Sequence, residues 1–174
     1  MFEPRFFAKY KINEHELIKE WFFDDSEHWI NNHVPVKDRD QNQSTDYFAP
    51  YEDRPYTKLA DHFLKPYIDT FAKEWNAKNP KVHWWFADYK NGGEHAWHIH
   101  HGAEFAVVYQ LQLEDPKMAT ELDGRHFDLV EGDMIIFPNM WPHRSPPNPN
   151  HSAKTIIAGN IMWTDIEHPK YLIK

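Results

Sequence analysis

The chain changes its apolar rhythm near residue 80. Before that point the period is helical. Leu59, Phe63, Tyr67, Phe71 and Trp75 recur every four residues, with Leu64 and Ile68 beside them. Thr57 is placed to cap this helix. Pro66 is expected to kink or split it, because proline removes a backbone donor and its ring crowds the preceding turn. A second helix is predicted over residues 13–29, with Leu17, Ile18, Trp21 and Phe22 as its apolar stripe. Residues 31–55 between them are polar and turn-rich and read as a loop. After residue 80 the period falls to two, or to short apolar runs. Strands are predicted over residues 81–89, 104–113, 126–130, 134–137 and 155–163, and along the second Phe105, Val107, Tyr109, Leu111 and Leu113 share one face. Short strands punctuated by Gly, Pro and Asn point to a sandwich or barrel. The expected class is α+β, mainly β. Residues 1–174 would form one domain, with a mostly helical segment, residues 1–80, bracing a β-barrel or jelly-roll core, residues 81–174.

Composition narrows the function classes. Trp, Tyr and Phe contribute 8, 8 and 12 of the 174 residues, which marks a chain that folds around a core. The net charge of −8 disfavours a nucleic-acid partner, since phosphate backbones require Lys and Arg. The absence of cysteine removes disulfides, thiolate ligands and a Cys nucleophile, and fits an intracellular chain. No apolar run reaches the roughly 18 residues of a membrane span, and residues 1–16 lack the apolar stretch of a signal peptide. A soluble cytoplasmic protein is expected.

Thirteen histidines are a large share, and four fall in "HAWHIHH", residues 95–101. His98 and His100 are two apart, so on a strand they project to one face. A third imidazole is available in "EGDMIIFPNMWPHRSPPN". There residues 131–133 make a turn, 134–137 a buried strand, 138–142 a loop, and His143 begins the next strand. Three histidines in an open arrangement suit Fe, Zn, Cu or Ni. An oxygen-activating iron needs vacant positions, which three protein ligands leave. His95 and His101 are expected to stand aside or to support the ligands. Trp97 and Trp141 would pack in the core or line a substrate mouth. Arg144 would point away from His143, towards an anion or a surface salt bridge.

"WWFADYKNGGEHAWHIHHGAEFAVVYQLQL" followed by "EGDMIIFPNMWPHRSPPNPNHSAKTIIAGNIMW" resembles the Fe(II)/2-oxoglutarate-dependent oxygenases, in particular a branch of small bacterial and phage members. The match covers about residues 82–163, and the N-terminal half carries no matching motif. The resemblance implies a double-stranded β-helix. It implies Fe(II) held by His98, His100 and His143, with 2-oxoglutarate as cosubstrate, O2 as oxidant, and hydroxylation of a small molecule or a protein side chain. Lys154 would receive the distal carboxylate of the cosubstrate, with Tyr109 and Asn148 as supporting hydrogen-bonding groups. Two departures stand out. His100 occupies the place of the usual Asp or Glu, leaving the metal centre one unit more positive. Lys154-Thr155-Ile156 replaces an Arg-x-Ser.

The same stretch is similar to the cupin motifs. Gly92, five residues, His98-Ile99-His100, three residues and Glu104 approach the first motif, and Gly132, five residues, Pro138 and His143 the second. On that reading Glu104 is a fourth ligand and 2-oxoglutarate is not used. The protein would then be a metal-dependent small-molecule dioxygenase or isomerase. A catalytically silent barrel used for binding is a third reading.

Overall fold

The structure, a computed structural model, describes residues 5–32, 43–89, 92–163 and 165–166. Its elements are β1 (Ala8–Lys11), α1 (His15–Asn32), β2 (Ser44–Thr45), α2 (Thr57–Phe63), α3 (Lys65–Glu74), β3 (Ala77–Lys78), β4 (Lys81–Asp88), β5 (His95–His98), β6 (Phe105–Leu113), β7 (Glu121–Leu122), β8 (Asp133–Pro138), β9 (His143–Ser145), β10 (Lys154–Met162) and β11 (Asp165–Ile166).

The six-stranded sheet, ordered β1-β8-β6-β10-β4-β2, is antiparallel throughout, and its central strands β8, β6 and β10 are buried on both faces. That is why β6, β8 and β10 read as near-continuous apolar runs. One face packs on the helices through Trp84, Phe105, Val107, Tyr109, Ile136 and Ile157. The other builds an interior layer from Trp85, Ala106, Val108, Ile135, Phe137 and Ala158. The smaller sheet, β5-β9-β7, closes over that interior, with Leu122 in the layer and His143 edge-on to Phe137 at 4.9 Å. Gly159 permits the tight approach on the helix side. A Cβ there would lie 2.7 Å from Val82 Cγ1 and 3.0 Å from Trp84 Cε3.

Several expectations are met with a shift. The helix around Pro66 is split: α2 stops at Phe63 and α3 takes Pro66 into its first turn, where a missing N–H costs nothing. Thr57 is the first residue of α2, not its cap. Tyr56 is the N-cap, and Thr57 Oγ1 donates to the Arg54 carbonyl. In α1 the buried stripe is His15, Ile18, Phe22 and Ser26, whereas Leu17 and Trp21 are 38% and 48% exposed. The polar residue that displaces the expected stripe is satisfied, since His15 bonds the Tyr109 hydroxyl at 2.6 Å and Glu131 at 3.2 Å.

Two strand expectations are corrected. Residues 126–130 form no strand. Glu121–Leu122 takes the edge of β9 instead, and the Val130 N–H is capped by Asp133. The common face of β6 holds from Phe105 to Leu111 and ends there. Thr155 pairs with Gln112 but Ile156 with Gln110, so Leu111 is bulged and Leu113 turns to the interior layer. Among the described residues, no helix is long and apolar enough to cross a membrane.

Candidate metal centre

His98 and His143 are direct cross-strand partners in the β5–β9 pair, which places their rings 4.2 Å apart. His100 lies two residues further on, where its N–H donates to the Asn139 carbonyl and ends the strand. Its ring stands 5.1 Å from His98 and 4.9 Å from His143. Each residue offers one ligand atom, and the three atoms all lie within 4.8 Å of one another.

The proton positions follow from the partners. His98 Nδ1–H donates to the Ala96 carbonyl at 2.7 Å, His143 Nδ1–H to the Trp141 carbonyl at 3.0 Å, and His100 Nδ1–H to Asn160 Oδ1 at 2.7 Å. An oxygen of this kind only accepts, so each proton sits on Nδ1 and each lone pair on Nε2, the form a metal requires. Burial, followed by the charges of the neighbouring imidazoles, holds His143 down to about 3, and burial also lowers His100. Both are neutral where a ligand must be. Nitrogen ligands at about 2.0–2.1 Å from a metal stand roughly 3–3.4 Å apart, so these rings reach that geometry by small side-chain rotations. The donor set fits a divalent transition metal.

The cluster opens on a cavity of about 630 Å³. Trp85, Ala106, Val108, Ile156 and Ala158 give it an apolar wall. Tyr47 and Phe48 stand at its rim in an edge-to-face chain with Trp85, whose ring lies 5.5 Å from His100. This bears on the loop expected over residues 31–55. Residues 33–42 lie outside the described residues, while Gln43, Thr45, Tyr47 and Phe48 line the cavity. Buried Arg54 pins that rim by donating to the carbonyls of Trp84, Tyr47 and Ala49. Asp46 completes the clamp, accepting from Tyr56, Trp29 and the Phe86 N–H.

Lys154 is 1% exposed. Its ammonium donates to the Met118 carbonyl and to Ser145 Oγ, and lies 4.8 Å from the centre of the Tyr89 ring. Ser145 and Tyr89 both line the cavity. Burial brings Lys154 down to about 7, opposed only by the field of Glu121. No carboxylate is in salt-bridge contact with it among the described residues.

The remaining expected residues go elsewhere. Tyr109 is not brought to the site: it sits on the helix-facing side of β6 with its hydroxyl on His15. Asn148 is buried, but its amide ties the loop after β9 by bonding Ser152 and the Tyr89 carbonyl. Glu104 is exposed and accepts from the Trp163 N–H, outside the histidine cluster, which removes the four-ligand cupin set. His95 stacks on His98 at 3.8 Å and lines the cavity. Arg144 pairs with buried Glu121 and lies over Trp97, and Trp141 packs against the interior layer. Asn160 was not singled out in the sequence. Its signal was there: it lies six residues beyond Lys154 on one strand, an even spacing that puts both on the interior face.

No family model matches the sequence, and no curated protein matches it. Solved structures do resemble it. A prolyl-4-hydroxylase of Pseudomonas putida has a TM-score of 0.65 at 14% identity, over 92% of this chain and 94% of that one. The viral collagen prolyl hydroxylase of Paramecium bursaria Chlorella virus-1, in its 2-oxoglutarate complex, has a TM-score of 0.64 at 13% identity, over 92% and 98%. A prolyl hydroxylase of Trichoplax adhaerens, bound to a hypoxia-inducible-factor peptide fragment, has a TM-score of 0.64 at 13% identity, over 90% and 83%. The likeness is one of fold: the chain is a double-stranded β-helix with helices packed on the outer face of its larger sheet.

Proposed function

We propose that this protein is a mononuclear Fe(II) oxygenase that uses 2-oxoglutarate and O2 to hydroxylate a carbon of a small molecule or of a protein side chain. One observation carries the reading. Three imidazoles with fixed tautomers converge on a cavity beside a buried lysine that, among the described residues, has no carboxylate in contact.

His98, His100 and His143 would hold the iron, leaving coordination positions for a chelating keto acid and for oxygen. When bound, iron and 2-oxoglutarate supply the redox chemistry that protein side chains lack. The chain supplies position and environment. Ala96, Trp141 and Asn160 orient the three rings. Lys154, aimed by Ser145 and faced by Tyr89, would bind the far carboxylate of the cosubstrate, each ion offsetting the other's desolvation. The wall of Trp85, Val108, Ile156 and Ala158 excludes water, and Tyr47 and Phe48 would meet the substrate at the rim. One structure of the same fold is a prolyl hydroxylase holding a peptide, which supports a protein side chain as one of the two substrate classes.

The test is an anaerobic titration of Fe(II)-loaded protein with 2-oxoglutarate, followed by visible charge-transfer absorption. Saturable binding is expected in the wild type, weakened on the order of a hundredfold in Lys154→Ala. Iron-loaded wild type that does not bind 2-oxoglutarate overturns the reading.

A further inference from the structure

The Lys154 side chain is almost fully buried, and its nitrogen has two acceptors, the Met118 carbonyl and Ser145 Oγ. A neutral amine carries two N–H groups and a lone pair, whereas an ammonium carries three N–H groups. The two acceptors satisfy the neutral form. A third N–H would meet only the face of the Tyr89 ring, whose centre is 4.8 Å from the nitrogen. Such a contact is worth about 2 kcal/mol, less than the several kcal/mol that burying an unpaired charge costs. Glu121 is the acid whose field favours the ammonium, but its oxygens are bonded to Arg144 and His126 instead. With the lysine brought down to about 7 by burial, the free protein at pH 8.5 holds a neutral amine here.

Small molecules reach this amine through the cavity. Ser145 and Tyr89, its two side-chain neighbours, both line it. No Asp or Glu is among the described residues that line it, so an anion formed at this wall meets no like charge there. A neutral, desolvated amine is a nucleophile.

We propose that Lys154 takes up carbon dioxide as a carbamate, and that this modification blocks the place where the cosubstrate's far carboxylate would bind. The Nζ lone pair forms a bond to the carbon of CO2, and one C–O π bond opens onto its oxygen. The nitrogen then loses one proton to solvent. The products are a carbamate anion and H+, and no oxidant or reductant is needed. The Ser145 hydroxyl, which accepts from the amine, can turn and donate to a carbamate oxygen. The modification itself requires no metal. Its regulatory consequence rests on the function proposed above, in which conversion of 2-oxoglutarate to succinate releases CO2 into the same cavity. The product then competes with the next cosubstrate for Lys154.

The experiment equilibrates metal-free protein with carbon-13-labelled bicarbonate and CO2 at pH 8.5. Triethyloxonium fixes any carbamate as its ethyl ester, and mass spectrometry of the digest maps the label. Label is expected on Lys154. At matched dissolved CO2 it should fall at least tenfold at pH 6, because the neutral fraction drops about tenfold and the released proton opposes the reaction further. Ser145→Ala should lower it about tenfold by removing a hydrogen bond to an anion. Saturating Mn(II) with 2-oxoglutarate should displace it at least tenfold. The label is read residue by residue in the wild type, so the result does not depend on a variant folding. No label on Lys154 at pH 8.5, or equal label on the exposed lysines, overturns the carbamate. Label unchanged with 2-oxoglutarate bound overturns the block. Wild type that takes the label but fails to bind 2-oxoglutarate in the titration above overturns the proposed function and leaves the carbamate standing. Wild type that binds 2-oxoglutarate but takes no label overturns this inference alone.

Discussion

If Lys154 receives the far carboxylate of 2-oxoglutarate, binding must take up a proton. Burial holds the free lysine near 7, with two neutral acceptors and, among the described residues, no carboxylate in contact. A group with that value is about 3% protonated at pH 8.5 and about 90% protonated at pH 6. A bound carboxylate returns the ammonium to its ordinary range, so it is fully charged in the complex at both values. Uptake is therefore about one proton at pH 8.5 and about a tenth of one at pH 6. Above pH 7 the apparent affinity falls roughly tenfold per unit, because the lysine must be charged before the carboxylate is worth binding. Calorimetry of 2-oxoglutarate binding to the metal-loaded protein, in buffers of different ionisation enthalpy, reads the uptake directly. Lys154→Arg supplies the control, since a guanidinium is charged throughout and should bind with no uptake from this position. Uptake near zero at pH 8.5 in the wild type, or equal uptake in Lys154→Arg, refutes the placement of the carboxylate on this side chain.

The same lysine sets a pH slope on stability. Its folded value, about 7, lies below its unfolded one, 10.5, so the unfolded chain binds the proton first and stability declines as pH falls from about 10.5 to 7. Lys154→Met should flatten that slope in urea unfolding measured across the window. Gly159→Ala forces a methyl group to within 2.7 Å of Val82 Cγ1 and should cost about 1–3 kcal/mol by urea denaturation. Arg54→Met leaves buried Asp46 without its nearby cation and frees three carbonyls. It should cost about 3–5 kcal/mol and raise the Km of any substrate that contacts Tyr47 and Phe48. His143→Ala should abolish metal binding, read by dialysis, while circular dichroism shows the fold retained.

Much of the core was legible because its strands are buried on both faces or alternate cleanly. β4, β6, β8 and β10 lie within a residue of their expected bounds, and the three histidines that the fold brings together are the H-x-H pair and the histidine after a turn and strand. What escaped the sequence is non-local. Strand β1 forms because β8 leaves an edge to pair with, and nothing in residues 8–11 declares that its partner is residues 133–136. The stripe of α1 differs from the expected one because His15 is buried against a hydroxyl from β6 and a carboxylate from the turn before β8, which apolar periodicity cannot foresee. Tyr109, expected as a supporting hydrogen-bonding group of the cosubstrate, faces the helices for a related reason. Alternation separates the two faces of β6 but does not say which one meets the helices. Lys154 was legible by its place at a strand start. The bulge at Leu111, which the sequence does not announce, aligns buried Leu113 opposite it.

The central claim is that His98, His100 and His143 hold one metal ion through Nε2. Anomalous diffraction from crystals grown with Fe(II) under anaerobic conditions tests it most directly. The account predicts one anomalous peak within about 2.0–2.3 Å of all three Nε2 atoms, with each Nδ1 still on its oxygen partner. A peak bonded to Nδ1 atoms, a peak reached by only one of the three rings, or iron bound elsewhere with these rings apart would contradict it.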